Sequence, residues 1–247
     1  MSVKTRLLST CNQENPDLNP DHLDLTLFNQ YNSQRYPYLL FSSASRQNNT
    51  QYDILIACPQ YVVTLNSDKT LTCTSEDITL SSNFFDTLEK LYQKDKDHTP
   101  SKTNNLPFTG GWFVYLSYEM AEEIEPCLNL PSLPDEQPLA VAARCPAAII
   151  YDKKNNQLVA VAETDYIYLL DELEQDYLSL FNHHNSQHES QTISQQSSDK
   201  IALESLVEAD ISCYLKQVEK IKQYIVEGDI FQANLSRQWQ ATLKHID

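Results

Sequence analysis

The sequence predicts an α+β protein built from antiparallel strands, and three features of the chain carry that prediction. Short runs rich in β-branched and aromatic residues follow one another between residues 38 and 74, separated by turn residues, as in an antiparallel meander. Two later apolar runs, residues 140–151 and 157–162, are joined by a polar turn, which is a hairpin signal. Other segments repeat apolar residues at helical spacing.

Strand candidates occur in both halves of the chain, and one of them contains a proline. Those of the first half cover residues 38–42, 52–58, 61–65 and 70–74. Pro146 lies inside the run 140–151. Because proline has no N–H to donate, it limits this run to an edge position or divides it.

The helix candidates are amphipathic and lie between and after the strands. They cover residues 23–31, 84–92, 166–181 and 207–227. Residues 182–200 are polar without periodicity and are predicted to be a surface loop or interdomain linker. Beyond Gly228, where a helix cap is expected, the period changes from 3.6 to 2, which predicts a strand over residues 231–239.

Composition excludes several classes of partner. The net charge is −16, and without a Lys/Arg run the chain is a poor ligand for nucleic acid or anionic lipid. No apolar stretch approaches the roughly 20 residues that cross a bilayer, and the amino terminus lacks a secretory signal. The six cysteines are scattered, as in a reduced, cytoplasmic protein.

Glycine is scarce, with only three in the chain against roughly 17 at average usage. A sequence that avoids glycine elsewhere is expected to keep Gly110, Gly111 and Gly228 where the backbone requires them. Gly110-Gly111 lacks the following Lys and Ser of a phosphate-binding loop. It is predicted instead to be a turn that lets a strand pack closely.

Three segments resemble one enzyme family. Residues 218–237, with the core Gly-Asp-Ile-Phe-Gln-Ala-Asn-Leu-Ser over 228–236, resemble the helix–strand opening of the chorismate-binding domain. Anthranilate, aminodeoxychorismate and isochorismate synthases share that domain. Residues 107–119 are similar to the family's amino-terminal Gly-Gly segment, except that Ser117 replaces a usual glycine. Residues 39–42 and 52–55 resemble the paired elements that line its tryptophan pocket.

Two positions favour the aminodeoxychorismate synthase component I branch. The anthranilate branch carries Leu-Leu-Glu-Ser, whose acid helps to bind feedback tryptophan, and here Phe41 stands in its place. The pair Tyr52-Asp53 also resembles the aminodeoxychorismate branch. By position, the resemblance assigns tryptophan binding to Ser42, Asn49, Thr50, Gln51, Tyr52 and Asp53. The alternatives are that Tyr52 is a core residue and that Asp53 stabilises a turn.

The resemblance also implies an architecture. It predicts an antiparallel β-sandwich with flanking helices, truncated before the catalytic core is complete. Residues 1–195 would form the amino-terminal domain, and residues 196–247 an incomplete start of the chorismate-binding catalytic domain.

The implied reaction converts chorismate and ammonia to 4-amino-4-deoxychorismate for p-aminobenzoate and folate synthesis. The full-length enzyme would take ammonia from a glutamine amidotransferase subunit and use Mg²⁺. Its nucleophilic lysine lies in a Pro-Ile-Lys-Gly segment that this chain lacks. We therefore expect no catalytic residue and no metal ligand here, and no activity of the chain alone. The alternatives are anthranilate synthase component I and a non-catalytic small-molecule-binding or subunit-docking module.

Overall fold

The structure is a computed structural model that describes residues 3–10, 24–42, 51–95, 106–130, 137–188 and 203–244. The strands are β1 (Val3–Thr10), β2 (Tyr38–Leu40), β3 (Tyr52–Ala57), β4 (Tyr61–Leu65), β5 (Leu71–Cys73), β6 (Gly111–Leu116), β7 (Ala140–Cys145), β8 (Ala147–Asp152), β9 (Gln157–Glu163), β10 (Leu203–Glu208) and β11 (Trp239–Leu243). The helices are α1 (Thr26–Tyr31), α2 (Phe84–Asp95), α3 (Ala121–Ile124), α4 (Leu169–His188) and α5 (Ile211–Glu227). The chain divides into two compact units, Met1–His188 and Glu189–Asp247. The predicted domain boundary after residue 195 stays a prediction.

The first unit holds two antiparallel sheets. One has the strand order β1-β9-β8-β3-β2, and the other has the order β5-β4-β7-β6. Every recorded strand pair in them is antiparallel. The predicted α+β class with antiparallel sheets is therefore confirmed for this part of the chain.

Alternating side chains of β3 show how the layers are ordered. Leu55 belongs to a buried cluster with Phe28 of α1 and Leu173 of α4, on the outer face of the five-stranded sheet. Ile56 points the other way, into a cluster that includes Phe113 of the four-stranded sheet. Because successive strand residues face opposite sides, the five-stranded sheet packs between helices and the second sheet.

The four-stranded sheet is covered on its outer face by α2. Val63 of β4 is buried in one cluster with Phe84 and Leu91 of this helix. Asn83 begins the helix, since its side-chain oxygen accepts a hydrogen bond from the Asp86 backbone N–H at 2.8 Å. The order helix, sheet, sheet, helix is the sandwich with flanking helices that the resemblance predicts.

Pro146 divides the long apolar run into two strands of different sheets. β7 lies between β4 and β6, and β8 lies between β9 and β3. Both are interior strands, so the edge alternative is wrong and the division is confirmed. The missing N–H falls at the crossing between the sheets, where the Pro146 carbonyl still accepts from the Glu163 backbone N–H at 3.0 Å.

The predicted meander is correct only in part. β4 and β5 form a hairpin, but β3 and β4 belong to different sheets. The chain turns between them at Cys58, whose φ is +59°. Strand patterns indicate which segments are extended, but they do not indicate which sheet receives them.

The second unit corrects two predictions. Residues from Val207 were predicted to begin a helix, but Val207 lies in β10, and α5 begins after its N-cap residue Asp210. The strand predicted over residues 231–239 begins only at Trp239, where β11 pairs antiparallel with β10. The alternating residues before Trp239 have no neighbouring strand in the described part of this unit to receive their hydrogen bonds.

The fourth helix is longer than the sequence predicts. α4 was predicted to end at residue 181, but it continues to His188. The remaining predicted linker residues, 189–200, lie outside the described ranges. Within those ranges, none of the helices has the length and apolar character needed to traverse a bilayer.

Candidate functional site

The residues predicted to bind tryptophan meet at one end of the five-stranded sheet, where β2 ends and β3 begins. Asp53 is buried, with a side chain only 5% exposed. Its Oδ1 atom accepts a hydrogen bond from the Ser42 backbone N–H at 3.1 Å. The antiparallel pairing of β2 with β3 brings the two residues together, as the family resemblance implied.

The partner of Asp53 is Lys153, which sequence reasoning missed. The Lys153 Nζ atom lies 2.7 Å from Asp53 Oδ1 and donates to the Ser42 carbonyl oxygen at 2.8 Å. It also lies 4.9 Å from the centre of the Phe41 ring. The Asp53 carboxylate is thus engaged by a cation of the protein itself.

The register of β8 explains how Lys153 reaches this end of the sheet. Asp53 pairs with Tyr151, and Lys153 follows two residues later on the same face. The Lys153 backbone N–H donates to the Gln51 carbonyl at 2.8 Å, so the ladder continues past the strand end. The sequence signal was only the polar turn after β8, about a hundred residues from Asp53.

Gln51 is engaged by the same turn. Its side-chain amide donates to both carboxylate oxygens of Asp152 at 3.1 Å, and Asp152 also accepts from the backbone N–H groups of Lys154 and Asn155. Burial disfavours the charged form of Asp152. The hydrogen bonds from Gln51 and Asn155 outweigh this effect and hold the pKa of the carboxyl below its ordinary value.

Tyr52 faces away from Asp53. It packs with Phe108 against a buried cluster around Ile150, on the side that faces the other sheet. Tyr52 and Asp53 therefore lie on opposite faces of β3. Asn49 and Thr50 lie outside the described residues. Tryptophan binding by this set stays a prediction.

A second polar cluster surrounds the double glycine. The Arg144 guanidinium of β7 donates hydrogen bonds from two nitrogens to the Glu163 carboxylate. It also forms an ion pair with Asp95 at 2.9 Å and donates to the Gly111 carbonyl oxygen at 3.2 Å. A Cβ atom on Gly110 would lie 2.2 Å from the Glu163 carboxylate. The predicted close approach of backbone at this turn is confirmed, and the partner is a buried ion pair.

The glycine of the second unit ends α5 as predicted. Gly228 has a φ of +84°, and its N–H donates to the Ile225 carbonyl at 3.2 Å while that of Asp229 donates to Tyr224 at 3.0 Å. This is the left-handed cap that completes a helix terminus. Gln232 and Asn234, which follow it, are exposed.

Comparison with known proteins places these segments in a family. Residues 31–247 match the family of chorismate binding enzymes. The chain belongs to this family. The match includes both the residues around Asp53 and the capped helix that ends at Gly228.

Two curated relatives of this chain carry names related to anthranilate synthase component I. It is 30% identical over 151 residues to "Anthranilate synthase component 1" of Bacillus subtilis (strain 168), covering 56% of this chain and 29% of the relative. It is 31% identical over 148 residues to "Anthranilate synthase component I-like protein" of Synechocystis sp. (strain ATCC 27184 / PCC 6803 / Kazusa), covering 60% and 28%. The chain thus spans less than a third of the length of these curated relatives.

A solved structure was also found. The crystal structure of anthranilate synthase component I from Streptococcus pneumoniae TIGR4 is 15% identical in sequence and superposes with a TM-score of 0.47. The superposition covers 85% of this chain and 45% of that one.

The described residues of this family member do not assemble a metal centre. Among them, no group of three or more His, Cys, Asp or Glu side chains lies close enough together to hold a metal ion. The acidic side chains of the two clusters are instead engaged by Lys153 and Arg144. In these two clusters, the carboxylates of Asp53 and Glu163 are thus already paired with cations of the protein.

Proposed function

We propose that this chain is the amino-terminal part of an aminodeoxychorismate synthase component I. The whole enzyme would convert chorismate and ammonia to 4-amino-4-deoxychorismate for p-aminobenzoate and folate synthesis. Membership of the chorismate binding enzymes supports the substrate class. Because the chain spans less than a third of its relatives, the activity is proposed for the whole protein.

The observation that carries the choice of branch is the environment of Phe41. In the anthranilate branch, an acid at this place helps to bind feedback tryptophan, an amino acid with an ammonium group. Here Phe41 has no charge, and the nearby Asp53 is neutralised by Lys153 at 2.7 Å. A second ammonium group would meet a like charge at this point, which favours the branch without the acid.

A second candidate is anthranilate synthase component I. The names of both curated relatives favour it. The two enzymes act on the same substrate and differ in the product, so a product assay separates them.

Other parts of the proposed enzyme lie outside this chain. Chorismate is a dianion, and Mg²⁺ bound to oxygen ligands would neutralise its carboxylates in the whole enzyme. The described residues contain no group of three or more His, Cys, Asp or Glu side chains that could hold this ion. We also propose a glutamine amidotransferase subunit as the source of ammonia. The Pro-Ile-Lys-Gly segment of the aminodeoxychorismate branch does not occur in the sequence, so we expect no turnover by these 247 residues alone.

The test is a chorismate assay with ammonium, Mg²⁺ and a lyase that releases p-aminobenzoate. It is run on the 247-residue chain and on the product of the complete reading frame. We expect p-aminobenzoate from the complete product only. Anthranilate instead would establish the second candidate. The absence of either product would favour a non-catalytic binding or docking module.

A further inference from the structure

The strand β6 lies at an open edge of the four-stranded sheet. Among the residues that the structure describes, β7 is its only neighbouring strand. The apolar side chains of Val114, Tyr115 and Leu116 are 43%, 41% and 45% exposed. An open edge presents unpaired backbone N–H and C=O groups, and these are a template for a strand of another chain.

The hydrogen-bond pattern shows which residues of β6 present these groups. The Ser117 backbone N–H donates to the Leu139 carbonyl at 2.8 Å, in register with the pairing of β6 with β7. The N–H and C=O groups of successive strand residues point to alternate sides. Those of the odd-numbered residues are therefore directed toward β7, and those of Trp112, Val114 and Leu116 are directed toward the open edge.

The other edges of the two sheets in the first unit are protected in ways that β6 is not. β1 carries Lys4 and Arg6, and β2 and β5 have only three residues each. Charged side chains and short strands are common means of preventing an edge from pairing with another chain. β6 has six residues, and residues 103–118 contain no charged side chain. Neither means of protection is therefore present at this edge.

The absence of charge along β6 favours a second copy of the same strand as its partner. The chain has a net charge of −16, so two copies in general repel each other. Contact at an uncharged edge places no like charges opposite one another. A charged strand of another protein would find no ion pair here. The edge thus fits an uncharged strand, and β6 is itself such a strand.

We propose that β6 is a homodimerisation edge, which pairs antiparallel with β6 of a second copy about a two-fold axis at Val114. In this register, Trp112 lies opposite Leu116 of the second copy, and Phe113 lies opposite Tyr115 of the second copy. The outward backbone groups of both copies then form about six hydrogen bonds, and the aromatic pairs across the strands add to them. The two four-stranded sheets become one continuous sheet. This inference does not rest on the proposed enzyme activity.

The test measures the mass of the 247-residue chain in solution by sedimentation equilibrium at a series of concentrations. We expect a monomer–dimer equilibrium with a Kd of about 100 μM or lower. Val114→Lys places two ammonium groups opposite each other at the centre of the pairing, and it should raise the Kd at least about tenfold. The mass of a single chain up to about 500 μM of unaltered protein would overturn the proposal.

A matched variant separates this edge from other exposed apolar residues. Val207 lies on β10 of the second unit and is 60% exposed. Val207→Lys introduces the same charge there, and it should leave the Kd within about twofold of the unaltered value. Circular dichroism and the Tm establish that each variant is folded. The proposal is overturned if Val207→Lys weakens the dimer as much as Val114→Lys does.

Hydrogen exchange of the unaltered chain decides the matter if Val114→Lys does not fold. The amides of Trp112, Val114 and Leu116 should exchange about tenfold more slowly at high than at low protein concentration. Those of Phe113 and Tyr115, which are directed toward β7, should change less. Slow exchange of the outward amides at every concentration would show that another segment of the same chain covers the edge. Fast exchange at every concentration would show that the edge stays unpaired. Either result overturns the proposal.

Discussion

Arg144 and Glu163 connect the two sheets of the sandwich through a two-point ion pair. The Arg144 side chain lies on β7 of one sheet, and its two terminal nitrogens contact the Glu163 carboxylate of the other at 2.8 and 2.5 Å. Both side chains are only 5% exposed. Burial alone would lower the pKa of Arg144, but the hydrogen bond and charge of Glu163 raise it above its ordinary value. The guanidinium therefore stays charged inside the protein.

Removing one member of this pair is predicted to be strongly destabilising. Arg144→Met leaves the Glu163 carboxylate buried without its cation. The free energy of unfolding should fall by about 3–5 kcal/mol, measured by urea denaturation monitored by circular dichroism.

The matched control removes both charges. Arg144→Met with Glu163→Gln should be more stable than Arg144→Met alone, because no unpaired carboxylate then remains at position 163. If the single variant loses less than about 1 kcal/mol, or if the double variant is the less stable of the two, the ion pair does not carry the stability assigned to it.

Gly110 is predicted to tolerate substitution less well than its neighbour. A Cβ atom on Gly110, at a φ of +99°, would lie 2.2 Å from Glu163 Oε1, whereas one on Gly111, at a φ of +138°, would meet no atom within 4 Å. Gly111→Ala should cost about 1–3 kcal/mol from backbone strain. Gly110→Ala adds a clash with the buried ion pair and should cost more. Equal costs in urea denaturation would contradict the close approach.

Because of the buried thiols, the free energy of unfolding is predicted to depend on pH in the alkaline range. Burial raises the pKa of Cys58 and of Cys145 from an ordinary value of 9.0 to about 12. Between these values the unfolded chain has lost the thiol protons that the folded chain still binds. The free energy of unfolding therefore falls as pH rises, by up to about 1.4 kcal/mol per pH unit for each thiol.

The measurement compares urea denaturation between pH 8.5 and 10.5 for the unaltered chain and for Cys58→Ala with Cys145→Ala. The double variant should show the shallower decline. Iodoacetamide provides a second readout, because the exposed Cys127 and Cys213 should be alkylated before the two buried thiols. An unchanged slope together with uniform alkylation would refute the assignment.

The cap of α5 is predicted to stabilise the end of this helix locally. Gly228→Ala places a side chain at a φ of +84° where there is open space around the Cβ position. The cost is therefore conformational, about 1–2 kcal/mol, and Gly228→Asn should cost less because asparagine tolerates this region. Hydrogen exchange of the amides near Ile225 should be slowest with glycine at position 228, faster with asparagine and fastest with alanine. Equal exchange rates in the three proteins would show that the cap contributes little.

Local patterns predicted local structure well. Gly228 was expected to cap a helix, and it caps α5, because capping depends on residues within one turn. Pro146 was recognised as a break or an edge residue, and the break is observed. The predicted strand from Phe231 failed because alternation describes one strand only. A strand also needs a neighbour, which β11 finds in β10.

In the candidate site, too, one contact was predicted and another was missed. Ser42 and Asp53 were brought together by the family resemblance, and they are hydrogen-bonded. Lys153 was missed, because nothing in the turn after β8 indicates that its register places an ammonium group 2.7 Å from Asp53.

The sequence by itself determined the family, the class of fold, most of the helices and the positions that require glycine. These depend on composition, on short-range periodicity and on motifs within about twenty residues. Only the tertiary structure decided which sheet each strand joins, why Gly110 cannot carry a side chain and which cations neutralise Asp53 and Glu163. The physical reason is that buried charges and sheet order are set by contacts between residues far apart in the chain, whose register no local pattern encodes.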